Sequence, residues 1–426
     1  MQKVLIITYY WPPAGGPGVQ RWLKFVKYLR EFDIEPVVYV PQNPNYPIWD
    51  ETLKDEVPDG ITIYRHRIFE PYGLAGFFSK KKTKRISSGM ITSEHQSFME
   101  KVLLWVRGNL FVPDARKFWI KPSVRFLSTI LNKEEISTII TTGPPHSVHL
   151  IGYKLKQKHQ LRWVADFRDP WTSIGYHKKL KLTRFTAQKH KRLEHLVLNT
   201  ADKIVVTSNT TKKEIEGLTD RPIAVITNGY DVSKIEEVPL DSKFTISHIG
   251  SLLGGRNPKN LWKVLAELIE ENEDFKASVR LQFIGVVSQD VLQTIYERGL
   301  KAYTSVEGYL PHDTAVRYQR RSQVLLVTEI DSDETKGIIP GKLFEYMAAG
   351  RPVLAIGPKN WEVDSIITET KIGAIFDYRS DSDLKSLLLD WFLKYQKNQL
   401  VVPSTNLHRY SRRELTGKLA AYLQWE

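Results

Sequence analysis

Short runs of consecutive apolar residues recur along the chain, and most lead into a loop and then an amphipathic stretch. Val4–Thr8 runs into Pro12-Pro13-Ala14-Gly15-Gly16-Pro17-Gly18, after which Val19, Trp22, Leu23, Val26 and Leu29 fall at helical spacing. Val37–Val40, Thr138–Thr141, Arg162–Ala165 and Lys203–Thr207 read as further short strands, with a helix over about 146–158. Strands that are apolar throughout, rather than at alternate positions, are buried on both faces. Their alternation with helices predicts a parallel sheet covered on each side.

The pattern restarts in the second half. Phe244–Ile249 is a strand, Gly250–Asn257 a glycine-bearing loop and Leu261–Glu271 an amphipathic helix. Strands follow at Arg280–Ile284, Val324–Val327, Pro352–Ile356 and Ala374–Phe376. The joint is expected near residues 230–243, after the turn Asn228-Gly229-Tyr230-Asp231. Two doubly wound α/β domains are therefore predicted, with ligands at a cleft between their strand ends. Residues 70–125 interrupt the first alternation. They hold Phe77-Phe78, the run Lys80-Lys81-Lys82-Thr83-Lys84-Arg85, and Trp105, Phe111, Phe118 and Trp119, and read as a basic, aromatic insertion.

Length agrees with two domains, at 426 residues. The chain has no cysteine, which excludes disulfides, thiol nucleophiles and cysteine metal sites and favours a reducing compartment. Apolar runs such as Val324–Val327 fall far short of the roughly 18 residues of a membrane span, and Met1–Thr8 reads as a buried strand rather than a signal peptide. A cytoplasmic location is expected. The net charge of +13 is lopsided. Residues 1–240 carry 37 Lys and Arg against 24 Asp and Glu, whereas residues 241–426 carry 24 of each. Such asymmetry points to an anionic partner of the first half. No nucleic-acid motif accompanies it, so nucleic acid is not the expected partner.

The candidate chemistry lies at predicted strand ends. Gly15-Gly16-Pro17-Gly18 can bring backbone N–H groups to a phosphate, or be simply a tight turn. The dinucleotide fingerprint fails, because Gly18 is followed by Arg21 where a glycine belongs and the second strand ends Tyr39-Val40-Pro41 without an acid. Gly250 to Asn257 has the same placement and adds Arg256, whose guanidinium can make two parallel bonds to a diphosphate. The strongest segment runs from Ile338 to Val353. Lys342 and Glu345 are three apart and share a helix face, the cation beside a bound phosphate and the carboxylate available to ribose hydroxyls. Gly143-Pro144-Pro145-His146 and Asp166-Phe167-Arg168-Asp169-Pro170-Trp171 also follow strands, so with the Gly15–Gly18 loop three strand ends of one domain converge. Asp331-Ser332-Asp333 and Asp381-Ser382-Asp383 read as an acidic loop and a helix cap rather than metal ligands. His146 and His149 lack a third ligand, and no metal site is expected.

Together these segments resemble the retaining GT-B glycosyltransferases of family 4, of the bacterial surface-polysaccharide type. The likeness is carried by the glycine loop after the first strand, Asn228-Gly229-Tyr230-Asp231, Gly250 with Arg256, Phe283-Ile284-Gly285, Glu307-Gly308-Tyr309-Leu310 and Lys342 to Pro352. It departs from the family at two places: the first Glu of E-x7-E falls on Gly337, and Ser251 stands where a basic residue is common. The resemblance implies an N-terminal Rossmann-like domain over 1–235, with the insertion at about 70–125. It implies a nucleotide-sugar domain over 240–405 and a final helix over 406–426 crossing back. Glu345 would take the ribose of a UDP- or GDP-sugar, and Tyr309 and Leu310 the base. Gly15, Gly16, Gly250, Arg256 and Lys342 would hold the diphosphate. Arg168, Asp169, Arg256 and Lys342 would be catalytic, and His146 would lie on the acceptor side. No metal or other cofactor is implied. The acceptor would be a lipid-linked or growing surface glycan, met at the anionic inner face of the cytoplasmic membrane. A sugar-nucleotide 2-epimerase of the same architecture and a non-catalytic nucleotide-sugar-binding protein are the alternatives.

Overall fold

The computed structural model describes residues 1–71, 98–178, 180–231 and 238–425. Phe77, Phe78 and the Lys80–Arg85 run lie outside the described residues. The chain forms two compact units, Met1–Thr227 with Arg412–Glu426, and Asn228–Ser411.

The first unit is built on a seven-stranded parallel sheet. Its strands are β1 (Gln2–Thr8), β2 (Ile34–Pro41), β3 (Thr62–His66), β4 (Thr138–Gly143), β5 (Arg162–Phe167), β6 (Lys203–Val206) and β7 (Ile223–Val225). The order is β3-β2-β1-β4-β5-β6-β7. Val4, Leu5, Ile6 and Ile7 are all fully buried, as a central strand covered on both faces requires. The chain starts in the middle, runs to the β3 edge and then returns to the other side of β1. Between β1 and β4 the loops therefore diverge, which opens a crevice at the strands' carboxyl ends.

That return corrects the extent of the expected insertion. Crossing from β3 to β4 in a parallel sheet needs a covering helix, and Ile120–Lys133 supplies it. Its Val124, Leu127 and Leu131 belong to the core, and the fully buried Trp119 stacks on Tyr39 at 5.2 Å. The end of the 70–125 segment is thus framework. The preceding helix, Phe98–Leu110, buries Leu104 but exposes Val102, Trp105 and Leu110. The last helix, Arg412–Tyr422, is also part of this unit, with Leu415, Leu419 and Leu423 in its core.

The second unit repeats the plan with six parallel strands. These are β8 (Phe244–Ile249), β9 (Val279–Ile284), β10 (Thr304–Gly308), β11 (Val324–Thr328), β12 (Val353–Ile356) and β13 (Gly373–Phe376), in the order β10-β9-β8-β11-β12-β13. Its switch point falls between β8 and β11. Apolar clusters cover both faces, one built round Leu261, Trp262 and Leu265, the other round Leu343, Phe344 and Met347.

Candidate active site

In the second unit, three pieces of chain meet at the switch point: the loop after β8, the residue after β11 and the N-terminus of the helix Gly341–Ala349. Glycine shapes the first. Gly250 has φ +114° and Gly285 has φ +119°, a region that side chains avoid. A Cβ on Gly285 would stand 2.7 Å from the Gly250 carbonyl oxygen, and one on Gly250 would stand 3.1 Å from Lys342 Nζ. The Gly250 amide donates to Ile284 O at 2.7 Å, and the Gly285 amide to Gly308 O at 2.6 Å. The ends of β8, β9 and β10 are thereby knitted together, and the backbone of Gly250 comes directly up to the lysine.

Lys342 stands in the first turn of its helix, where the helix dipole and its unpaired N–H groups favour an anion rather than a cation. Burial, and then the Arg256 guanidinium, push its ammonium down to about 7, against the pull of Glu345 and Glu329. Its Nζ lies 2.8 Å from Nε2 of His248, a buried residue of β8. Arg256 makes two bonds to Glu329, Nε to Oε1 at 2.8 Å and Nη2 to Oε2 at 3.1 Å. Glu329 follows β11, is fully buried and also accepts from the Ile330 amide at 2.9 Å. Glu345 is exposed one turn further along, and Gln319 Nε2 donates to its Oε2 at 3.0 Å. Two cations thus stand at a helix N-terminus beside a glycine loop, with an exposed carboxylate on the same helix. Tyr309 is 81% exposed beyond β10, while Leu310 packs against the apolar cluster beneath the helix.

His248 and Glu329 were not among the residues the sequence singled out. The only signal for Glu329 is a carboxylate directly after an apolar strand, in Val327-Thr328-Glu329. His248 gives none, since a lone histidine in a strand is ordinary.

In the first unit the three strand-end loops do converge, and Arg168 is what joins them. Its Nη1 donates to Gly18 O at 2.9 Å, Nε to Gly143 O at 3.3 Å, and Nη2 to Pro144 O. Its guanidinium is therefore engaged with the backbone carbonyls of two loops beside the predicted site. Asp169 beside it is exposed. Asp166 is fully buried and accepts from Arg21 (3.0 and 3.4 Å), Trp22 Nε1 (2.7 Å) and Thr142 Oγ1 (2.8 Å). Burial alone would raise its carboxyl; Arg21 and the two other donors overcome that and hold it below the usual aspartate value. The Gly15 amide donates to Ile48 O at 3.0 Å. Gly16, with φ +97°, precedes the helix Pro17–Leu29 as its N-cap.

His146 is buried and stacks flat on Trp171 at 4.6 Å, so it belongs to the interior rather than to an acceptor surface. Its neighbour His149 bonds Thr141 Oγ1 at 2.8 Å, and burial pushes it down to about 3. Asp333 pairs with Lys336 at 2.6 Å. Asp381 lies in the first turn of Asp381–Gln396 and pairs with Lys263 at 2.8 Å; Ser380 holds the N-cap position expected of it. Among the described residues no group of three or more His, Asp or Glu is placed to hold a metal ion.

Two parallel-sheet units of this topology, each with its ligand-ready switch point, define the GT-B fold of glycosyltransferases. Residues 90–234, roughly a third of the chain, match Glycosyltransferase Family 4, and the fold of the two units is GT-B. No curated protein matches it by sequence. Among solved structures it is similar to the lipopolysaccharide outer core galactosyltransferase WaaB in its apo form, at 13% identity, TM-score 0.58 and 99% coverage of both chains. It is similar to sucrose-phosphate synthase from Thermosynechococcus elongatus, at 13% identity and TM-score 0.57, covering 99% of this chain and 97% of that one. The UDP-GlcNAc 2-epimerase from Methanocaldococcus jannaschii shares the fold at 10% identity, TM-score 0.51 and 99% of each chain.

Proposed function

We propose that this enzyme transfers a sugar, with retention, from a UDP- or GDP-sugar to a lipid-linked or growing surface glycan. The observation that carries the donor side is the pairing of Lys342 and Arg256 with Gly250 at a helix N-terminus. In such a transfer negative charge grows on the departing diphosphate. Cations and amides already fixed where that charge appears stabilise it without reorganising, and they do so more strongly in a partly dehydrated site. Arg256 and Lys342 fill this role, and a metal is not needed for it. Glu345 follows three residues on in the same helix, with one oxygen held by Gln319, and would take the ribose hydroxyls.

Lopsided charge and exposed aromatics support the acceptor side. Phe69 and Phe118 meet at 5.6 Å and are both largely exposed, and Lys117 Nζ lies 5.1 Å from the Phe118 ring. Trp105 and Leu110 stand exposed on the helix that Lys117 caps through Leu110 O. Rings and cations side by side suit an anionic lipid interface, where a lipid-linked acceptor would be met. The epimerase reading shares the donor site and is separated by its product, since it would convert a nucleotide sugar with no acceptor present.

The test is calorimetry with UDP and GDP. Glu345→Ala is expected to weaken binding of one of them by about 1–3 kcal/mol, the loss of a charged hydrogen-bond partner. Unchanged affinity would remove Glu345 from the ribose site.

A further inference from the structure

We infer that His248 is a positioning residue for Lys342: its Nε2 lone pair holds the ammonium at the Gly250 backbone, where the diphosphate of the donor is to lie. The inference rests on the donor-site reading above and adds to it a residue that no part of the motif contains.

The proton positions follow from the partners. His248 Nδ1 is 3.0 Å from the Leu326 carbonyl oxygen, whereas Nε2 is 3.4 Å from the Ser251 carbonyl oxygen and 2.8 Å from Lys342 Nζ; a carbonyl can only accept, so the shorter Leu326 contact takes the ring hydrogen at Nδ1 and leaves Nε2 to the lysine. Burial, reinforced by Lys342, holds the ring well below the ordinary histidine value, so it is neutral. Nε2 is then an acceptor, and the only sense in which the 2.8 Å contact forms a hydrogen bond is donation from Lys342 Nζ. The ring is 1% exposed and sits in the centre strand of the sheet, so it cannot swing away.

The charged groups facing the ammonium explain why such an acceptor is needed. Arg256 from the loop after β8 repels it. Glu329 after β11 attracts it but is doubly bonded to Arg256, and Glu345 on its own helix attracts it but is held by Gln319. Without a fixed acceptor, a four-carbon side chain at a positive helix end has reason to turn toward solvent. His248 takes one of its three hydrogens and leaves the others to a phosphate.

The experiment uses the full chain with lysine labelled at Cε with carbon-13, the Lys342 resonance being the one lost in Lys342→Arg. Its pH titration is followed in wild type, His248→Leu, His248→Asn and His248→Gln, and UDP and GDP affinities are measured at pH 7. Leucine offers no acceptor, and asparagine reaches Leu326 but falls short of Lys342. Glutamine can place its carbonyl oxygen near the lost Nε2. In the Leu and Asn variants the titration midpoint is expected to fall by about one pH unit and nucleotide affinity by about tenfold, the worth of one charge-assisted bond. Glutamine restores most of both. Should the Leu variant fail to fold, the Asn–Gln comparison decides alone. A midpoint unmoved in the folded variants, or equal losses in Asn and Gln, overturns the inference. If the midpoint moves as stated but neither UDP nor GDP binds wild type, the donor reading fails and the His248 assignment stands.

Discussion

Lys342 ties the pH behaviour of the enzyme to one side chain. Its ammonium is pushed from the ordinary lysine range down to about 7, so near neutrality it is partly deprotonated in the free protein. A diphosphate binds the protonated form. Binding is therefore expected to take up a proton, and affinity for UDP or GDP to fall above pH 7 by at most about tenfold per pH unit. Calorimetry in buffers of different ionisation enthalpy measures that uptake directly; none between pH 7 and 8 would show that Lys342 does not titrate there. The sign for stability is opposite. Between about pH 7 and the unfolded lysine value the unfolded chain binds the extra proton, so the free protein gains stability with rising pH in that window. Lys342→Met should abolish this gain, a result read from melting temperatures at pH 7 and pH 9. At this scale the sequence showed one partner of each pair. Spacing exposed Lys342, Glu345 and Arg256, but His248 lies 94 positions from its lysine and Glu329 lies 73 from its arginine.

Among the elements, the helix Pro17–Leu29 is pinned to the sheet by a buried ion pair rather than by apolar contact alone. Arg21 spans Asp166 at the end of β5 and the Thr227 carbonyl, at 3.0 and 2.8 Å, and is 1% exposed. Removing one partner of such a pair leaves a buried charge uncompensated. Arg21→Met is thus expected to destabilise the first unit by about 3–5 kcal/mol, measured by urea unfolding, and by more than the paired change Arg21→Met with Asp166→Asn. Equal losses in the single and double variants would mean that the charge on Asp166 is not what matters. The same scale shows which strands were legible. Every central strand appeared as an apolar run. The three that did not, β3, β7 and β10, are all sheet edges and none has a fully buried residue. An edge strand is covered less completely, so its residues need not be continuously apolar, and the pattern that marks a strand fades.

For the whole molecule, the excess positive charge of the first half is the feature with the longest reach. Each cation close to an anionic leaflet is worth about 1 kcal/mol, so the five of Lys80–Arg85 would give reversible, salt-sensitive attachment. Sedimentation with vesicles containing anionic lipid is expected to bring the protein down at low salt, and replacing the five with glutamine should largely prevent it. Equal sedimentation of both proteins would place the membrane face elsewhere on the chain. Repetition of the strand–loop–helix pattern determined by itself that there are two parallel-sheet units, because burial on both faces leaves a local, readable trace. It also put the candidate groups at strand ends, and Lys342 and Glu345 three residues apart on one helix. Tertiary structure decided which residues those groups meet. It gave Arg168 to the carbonyls of Gly18, Gly143 and Pro144 and drew Trp119 into the core. Hydrogen bonds and ion pairs depend on closeness in space. Parallel sheets bring together residues far apart in the chain, and no spacing along the sequence records that.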